Sequence, residues 1–170
     1  FTLVTDAARL TVGDSILIAY ENFVMGTDAG NFRNKTDMMT SNGKVTHLAA
    51  DAQKILLEAG VVEGTFAFNV GDGYLAAKSS SSNHITTATE IDANGSWTIT
   101  IGNEALAVIK AQGDKTRNTL QYNTSSPRFS CYTGSQKSVN IYAKSPVATG
   151  IDSKTTDEES FDVYSLTGNI

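Results

Sequence analysis

Nucleophilic hydrolysis needs a Ser or Cys beside an imidazole that a carboxylate orients. The sequence holds two histidines, His47 and His84, and one cysteine, Cys131. His84 follows Ser79-Ser80-Ser81-Ser82-Asn83. That stretch lacks the glycine-flanked elbow that exposes a nucleophile, and it reads as a mobile, hydroxyl-rich surface loop. Cys131 falls on the apolar side of an expected strand, so it reads as a small buried hydrophobe and not as a reactive thiol. Its being single also excludes an intrachain disulfide.

Glycoside hydrolysis would need two carboxylates across a cleft. Asp14, Glu58, Glu63, Asp72, Glu90 and Asp92 are available, but sequence spacing does not pair them, and most stand beside Gly or Asn in expected turns. Calcium is the other use for such groups. Asp28-Ala-Gly-Asn31, Asp72-Gly73 and Asp92-Ala-Asn94-Gly95 offer hard oxygen ligands, yet none completes a twelve-residue loop closed by Glu. The same dipeptides are what hairpin turns demand. No catalytic residue, metal ligand or cofactor is therefore assigned, and the chain is expected not to be an enzyme.

The best binding candidate is the set Arg117, Asn118, Tyr122, Asn123, Arg128 and Tyr132. Guanidinium planes, amides and phenol rings together can grip a polysaccharide or another glycan by stacking and bidentate hydrogen bonds. The competing reading is structural. In it Asn123 turns the chain, Arg128 ties the turn down, and Tyr122 and Tyr132 cover one end of the fold.

The elements that would position these groups are strands. Of 170 residues, 40% are apolar and only 18% charged, so polarity is carried mainly by Ser, Thr, Asn and Gly. That balance favours strands and tight turns over helices. The fold class expected is all-β, an antiparallel meander closing into a barrel or sandwich, with at most one or two short helices. Strands are expected at Phe1 to Val4 and at Ser15 to Tyr20, the latter apolar enough to be central and buried. Between them, Thr5 or Asp6 caps one helical turn. Residues 26–36 read as a long loop. Residues 46–59 suit a helix by their alanines, but the alternation that follows favours strands.

Three hairpins are expected. They are Phe66 to Val70 with Tyr74 to Ala77, Trp97 to Ile101 with Ala105 to Ile109, and Phe129 to Tyr132 with Val139 to Tyr142. Thr119 to Tyr122 adds another strand. The leading aromatics are evenly spaced, a weak repeat signal. Alternation puts Phe66, Phe68, Trp97, Ile99, Ile101, Phe129 and Cys131 on one face, the expected core. The β module is expected over 1–143, a linker over 144–160 with its run Asp157-Glu158-Glu159, and a further segment over 161–170.

The formal net charge of −5 argues against general nucleic-acid binding. No apolar run approaches the ~20 residues of a membrane helix. A start at Phe1 suggests a processed or excised segment, any export signal lying outside it.

Several stretches carry a resemblance. These are Phe1-Thr-Leu-Val, Leu10-Thr-Val-Gly-Asp-Ser-Ile-Leu-Ile-Ala19, Gly73-Tyr-Leu-Ala-Ala with Asn83, Arg117-Asn-Thr-Leu-Gln-Tyr-Asn123, Pro127-Arg-Phe-Ser-Cys-Tyr132 and Val139-Asn-Ile-Tyr142. Together they resemble an uncharacterised β module of secreted multidomain Bacteroidetes proteins, found beside nuclease, lamin-tail-like or immunoglobulin-like domains. Phe161-Asp-Val-Tyr-Ser-Leu-Thr-Gly168 is similar to the opening of a C-terminal sorting segment. The resemblance implies export or cell-surface display, other domains as partners, and an accessory role with no activity to transfer. The function expected is a non-catalytic, adhesion-like module that binds glycan. The alternatives are a hydrolase with carboxylates brought together by folding, and a purely structural spacer.

Overall fold

The computed structural model describes residues 1–146. The expected linker from residue 147 onward and the segment 161–170 lie outside the described residues. The strands are β1 (Thr2–Leu3), β2 (Ser15–Tyr20), β3 (Phe23–Asp28), β4 (Arg33–Ser41), β5 (Lys44–Leu48), β6 (Ile55–Ala59) and β7 (Phe66–Asn69). They continue as β8 (Tyr74–Ala77), β9 (Ile85–Ala88), β10 (Trp97–Ile101), β11 (Ala107–Ala111), β12 (Thr119–Asn123), β13 (Arg128–Tyr132) and β14 (Asn140–Lys144). The only helical turns among the described residues are three short 3-10 turns. The first, Ala7–Arg9, is capped by Asp6, whose side chain accepts the Ala8 N–H as expected of a short acidic N-cap. No helix of the described residues is long and apolar enough to cross a membrane.

All the strands belong to one 14-stranded sheet, and every pairing is antiparallel. The pairings close on themselves twice. One cycle runs β2, β6, β7, β10, β11, β12, β13, β4, β3 and back to β2. The other runs β2, β3, β4, β5, β1, β14 and back to β2.

The hinge of this arrangement is β2. Its residues Ser15 to Ala19 pair with β14 on one edge, while the other edge splits between β6 at Ser15 and Ile16 and β3 at Ala19 and Tyr20. Its four central residues are fully buried on alternating sides. Ile16 and Ile18 enter the larger core with Met25, Phe68, Trp97 and Phe129, whereas Leu17 and Ala19 enter a smaller one with Val24, Met38 and Tyr142. A strand enclosed on both faces needs an unbroken apolar run, and Ile16-Leu-Ile-Ala19 supplies it. In the larger core, Trp97 stacks parallel on Phe68 with ring centroids 5.4 Å apart. Its buried indole N–H donates to the Leu75 carbonyl at 3.1 Å, so that polar group is not left orphaned. Each of the seven residues expected on the core face lies in this cluster or packs against it.

Three expectations about the strands are corrected. Residues 26–36 are not a long loop. β3 and β4 form a hairpin across a bulge, and the turn is only the four residues from Ala29 to Phe32, closed by Ala29 N–H to Phe32 O at 2.9 Å. The β11 strand starts two residues later than Ala105, because Asn103–Ala105 makes a 3-10 turn. The third hairpin does not form. β13 pairs with β12 and β4, while β14 crosses to lie between β1 and β2. The ambiguity over 46–59 resolves to strand, with β5 and β6 at its two ends.

Candidate functional site

On β12 and β13 the register sets Thr119 opposite Tyr132, Gln121 opposite Ser130 and Asn123 opposite Arg128. These six residues share the sheet face turned away from the larger core, since Leu120, Tyr122, Phe129 and Cys131 alternate into it. Loops close over that outer face. Buried Ser130 donates its hydroxyl to the carbonyls of Asn83 at 2.7 Å and Asn31 at 3.2 Å. Gln121 exchanges hydrogen bonds with the backbone of Gln136.

The six residues singled out by sequence therefore occupy different environments. Tyr122 is a core side chain, stacked on Tyr20 at 4.7 Å and edge-on to Phe129 at 4.9 Å. Tyr132 is also buried on the outer face, and burial raises its hydroxyl above the ordinary tyrosine range against the opposing pull of Asn123 and Arg128. Asn123 turns the chain, accepting the N–H groups of Ser125 and Ser126. The Arg128 guanidinium carbon sits over the Phe32 ring at 3.8 Å from its centroid, tying the β12–β13 turn to the β3–β4 turn. Arg117 donates to the Asn83 side chain at 2.7 Å, and Asn118 accepts the Ala111 N–H through its carbonyl. Asn123 and Arg128 are brought together with Tyr132, while Arg117 and Asn118 sit at the strand entrance beside the 79–84 loop.

Hydrogen bonds tie that serine-rich loop to its neighbours. Ser79 Oγ accepts the N–H groups of Ser81 and Ser82, Ser80 bonds the Thr116 backbone and hydroxyl, and Asn83 is held by both Arg117 and Ser130. Four of the acids are likewise occupied in local structure. Asp14, Asp28 and Asp92 each accept a backbone N–H within three residues. Glu58 receives the amide of Asn69 at 2.7 Å and the hydroxyl of Tyr74 at 3.0 Å, a contact that raises the tyrosine's pKa. The Cys131 thiol is fully buried, and desolvation pushes its pKa far up, so it stays protonated. Among the described residues no three His, Cys, Asp or Glu side chains gather as a metal site.

Arg33 shows what the 27–33 region does instead. Only 3% exposed, it spreads its guanidinium over the Gly26 carbonyl (3.1 Å), the Gln53 amide oxygen (2.5 Å) and the Thr87 hydroxyl (3.5 Å). Burial lowers its pKa, with Asp28 and Asp72 acting in the opposite sense.

One surface feature has side chains of mixed character and an open mouth. A cleft of about 590 Å³ is lined by Asn22, Phe23, Asp37, Met38, Met39, Thr40 and His47. Register builds it: Phe23 faces Asp37 across β3 and β4, and Met39 faces His47 across β4 and β5. Met38 is buried in the smaller core while its neighbour Met39 is 60% exposed. The Lys35 ammonium sits over the Phe23 ring, 4.1 Å from its centroid. An apolar floor with an amide, a carboxylate, a hydroxyl and an imidazole around it is suited to a small polar ligand with an apolar side. Sequence reading found none of these residues except His47, which it weighed only as a catalytic base. The cleft depends on strand register and on a bulge between Met39 and Thr40, neither of which has a sequence signature here. A second hollow of about 390 Å³ lies between β1 and β14, among Phe1, Arg9, Asp14 and Lys144.

No protein-family model matches the chain, and no curated protein is similar to it.

Proposed function

We propose that the chain is a non-catalytic binding module of an exported or surface-displayed protein, with a glycan as its ligand class. The observation that carries this reading is the contrast between committed and uncommitted polar groups. Asp14, Asp28, Glu58, Asp92, the serines Ser79, Ser80 and Ser130, and the cysteine are engaged in turns, loop ties or the core. The polar groups around the Asn22–His47 cleft instead surround open space over an apolar floor. A sugar ring has a C–H face for Met39 and Phe23 and hydroxyls for Asn22, Asp37, Thr40 and His47. The surface rich in hydroxyls and amides, and the resemblance to modules of secreted multidomain proteins, support export. The spacer alternative has no use for such a cleft, and the hydrolase alternative would need a pair of free carboxylates facing each other there.

A glycan array probed with the purified chain tests the reading. A reproducible hit that Asn22→Ala and His47→Ala each weaken, without release of hydrolysis products, supports it. An array without hits, or a hit that is cleaved on incubation, overturns it.

A further inference from the structure

We propose that Met39 and His47 form a site for a soft monovalent metal ion, Cu(I), at the β4–β5 end of the cleft. The proposal shares the cleft with the glycan reading but does not rest on it. The two residues are register partners. Directly opposed residues of an antiparallel pair leave the sheet on the same face, with Cβ atoms about 4.5–5.5 Å apart. From that separation a flexible thioether and an imidazole can converge on one ion.

Both side chains are exposed and line the same cleft, so neither must leave a packed environment to bind. Packing does not account for Met39. The next residue inward, Met38, fills the smaller core at 1% exposure, whereas Met39 at 60% covers little, and Met is not among the residues that strands favour. The donor set then selects the metal. A thioether is a soft ligand that favours Cu(I), and imidazole suits copper as well. No third His, Cys, Asp or Glu among the described residues completes a site of the zinc or calcium kind. Two donors suit Cu(I), which accepts low coordination numbers. The other soft ligands of the sequence, Cys131, Met25 and Met38, are buried in the two cores and out of competition while the chain is folded.

The test uses the full chain carrying Cys131→Ala, titrated anaerobically with Cu(I) against a chromophoric Cu(I) chelator. NMR of the same protein with Ag(I), a redox-inert stand-in, reads the site directly. The expected result is one ion per chain, with the Met39 methyl and His47 ring signals moving together. Met39→Leu and His47→Gln are each expected to weaken binding by about a hundredfold or more, since one side chain no longer presents the ion to the other. His84→Gln is expected to leave it unchanged. Both cleft substitutions are at exposed positions, and an unchanged melting temperature confirms that the fold is intact. Failure to take Cu(I) from the chelator, an unmoved Met39 methyl, or full binding in both cleft variants would overturn the site, whatever the glycan array shows.

Discussion

Leu17 and Ile18 are neighbours in sequence, both fully buried, and they belong to different cores. The relationship follows from the two-residue period of a strand whose two faces are both covered. It couples the two cycles of the sheet mechanically, because neither can lose β2 without opening the other. Leu17→Ala and Ile18→Ala are each expected to cost ~2–5 kcal/mol. Circular dichroism and Trp97 fluorescence should follow one shared unfolding transition in both variants. Two separated transitions would show that the cores fold independently.

Arg33 holds together β3, the segment before β6, and β9 through neutral acceptors, with no carboxylate in contact. Arg33→Lys keeps the charge but loses the planar fork that reaches three partners. The expected loss is ~1.5–3 kcal/mol, the range for hydrogen bonds to a charged group. The urea midpoint measures it, and an unchanged midpoint would mean that the fork contributes nothing.

Cys131 makes stability depend on pH in one direction. Its folded pKa is raised by burial, so the folded state retains a proton that the unfolded chain gives up. The sign is fixed by linkage: stability is complete below the ordinary thiol pKa and falls as pH rises above it, toward the folded value. Cys131→Ala is expected to flatten this part of the alkaline limb. Iodoacetamide should leave the native thiol unmodified and label it in denaturant. Rapid native labelling would contradict the burial.

How much of this was legible beforehand depended on whether the signal was local. The run Ile16-Leu-Ile-Ala19, the Asp6 cap and the Asp72-Gly73 hairpin were readable because periodicity, capping and turn chemistry act over a few residues. The β3–β4 hairpin was missed because Gly26, Asp28, Gly30 and Asn31 outweigh the strand formers. Only Ala29 to Phe32 make the turn, and Asp28, the last residue of β3, accepts the Gly30 N–H with its carboxylate. Sequence order pairs β13 with β14, whereas β14 completes the smaller core by crossing to β1. Long-range partners of this kind are set by the whole sheet. For the same reason the Arg117–Tyr132 set was found from residue types, while the Phe23–His47 cleft, which is assembled by register, was not.

Glycan binding is expected at that cleft and not on the face around Arg117. Backbone and methyl NMR shifts of the chain, titrated with the strongest glycan from an array, test it most directly. The expected result is a perturbation centred on Asn22, Phe23, Met39 and His47 that persists in Arg117→Ala. Shifts centred on Asn83, Arg117 and Arg128, and lost in Arg117→Ala, would contradict it.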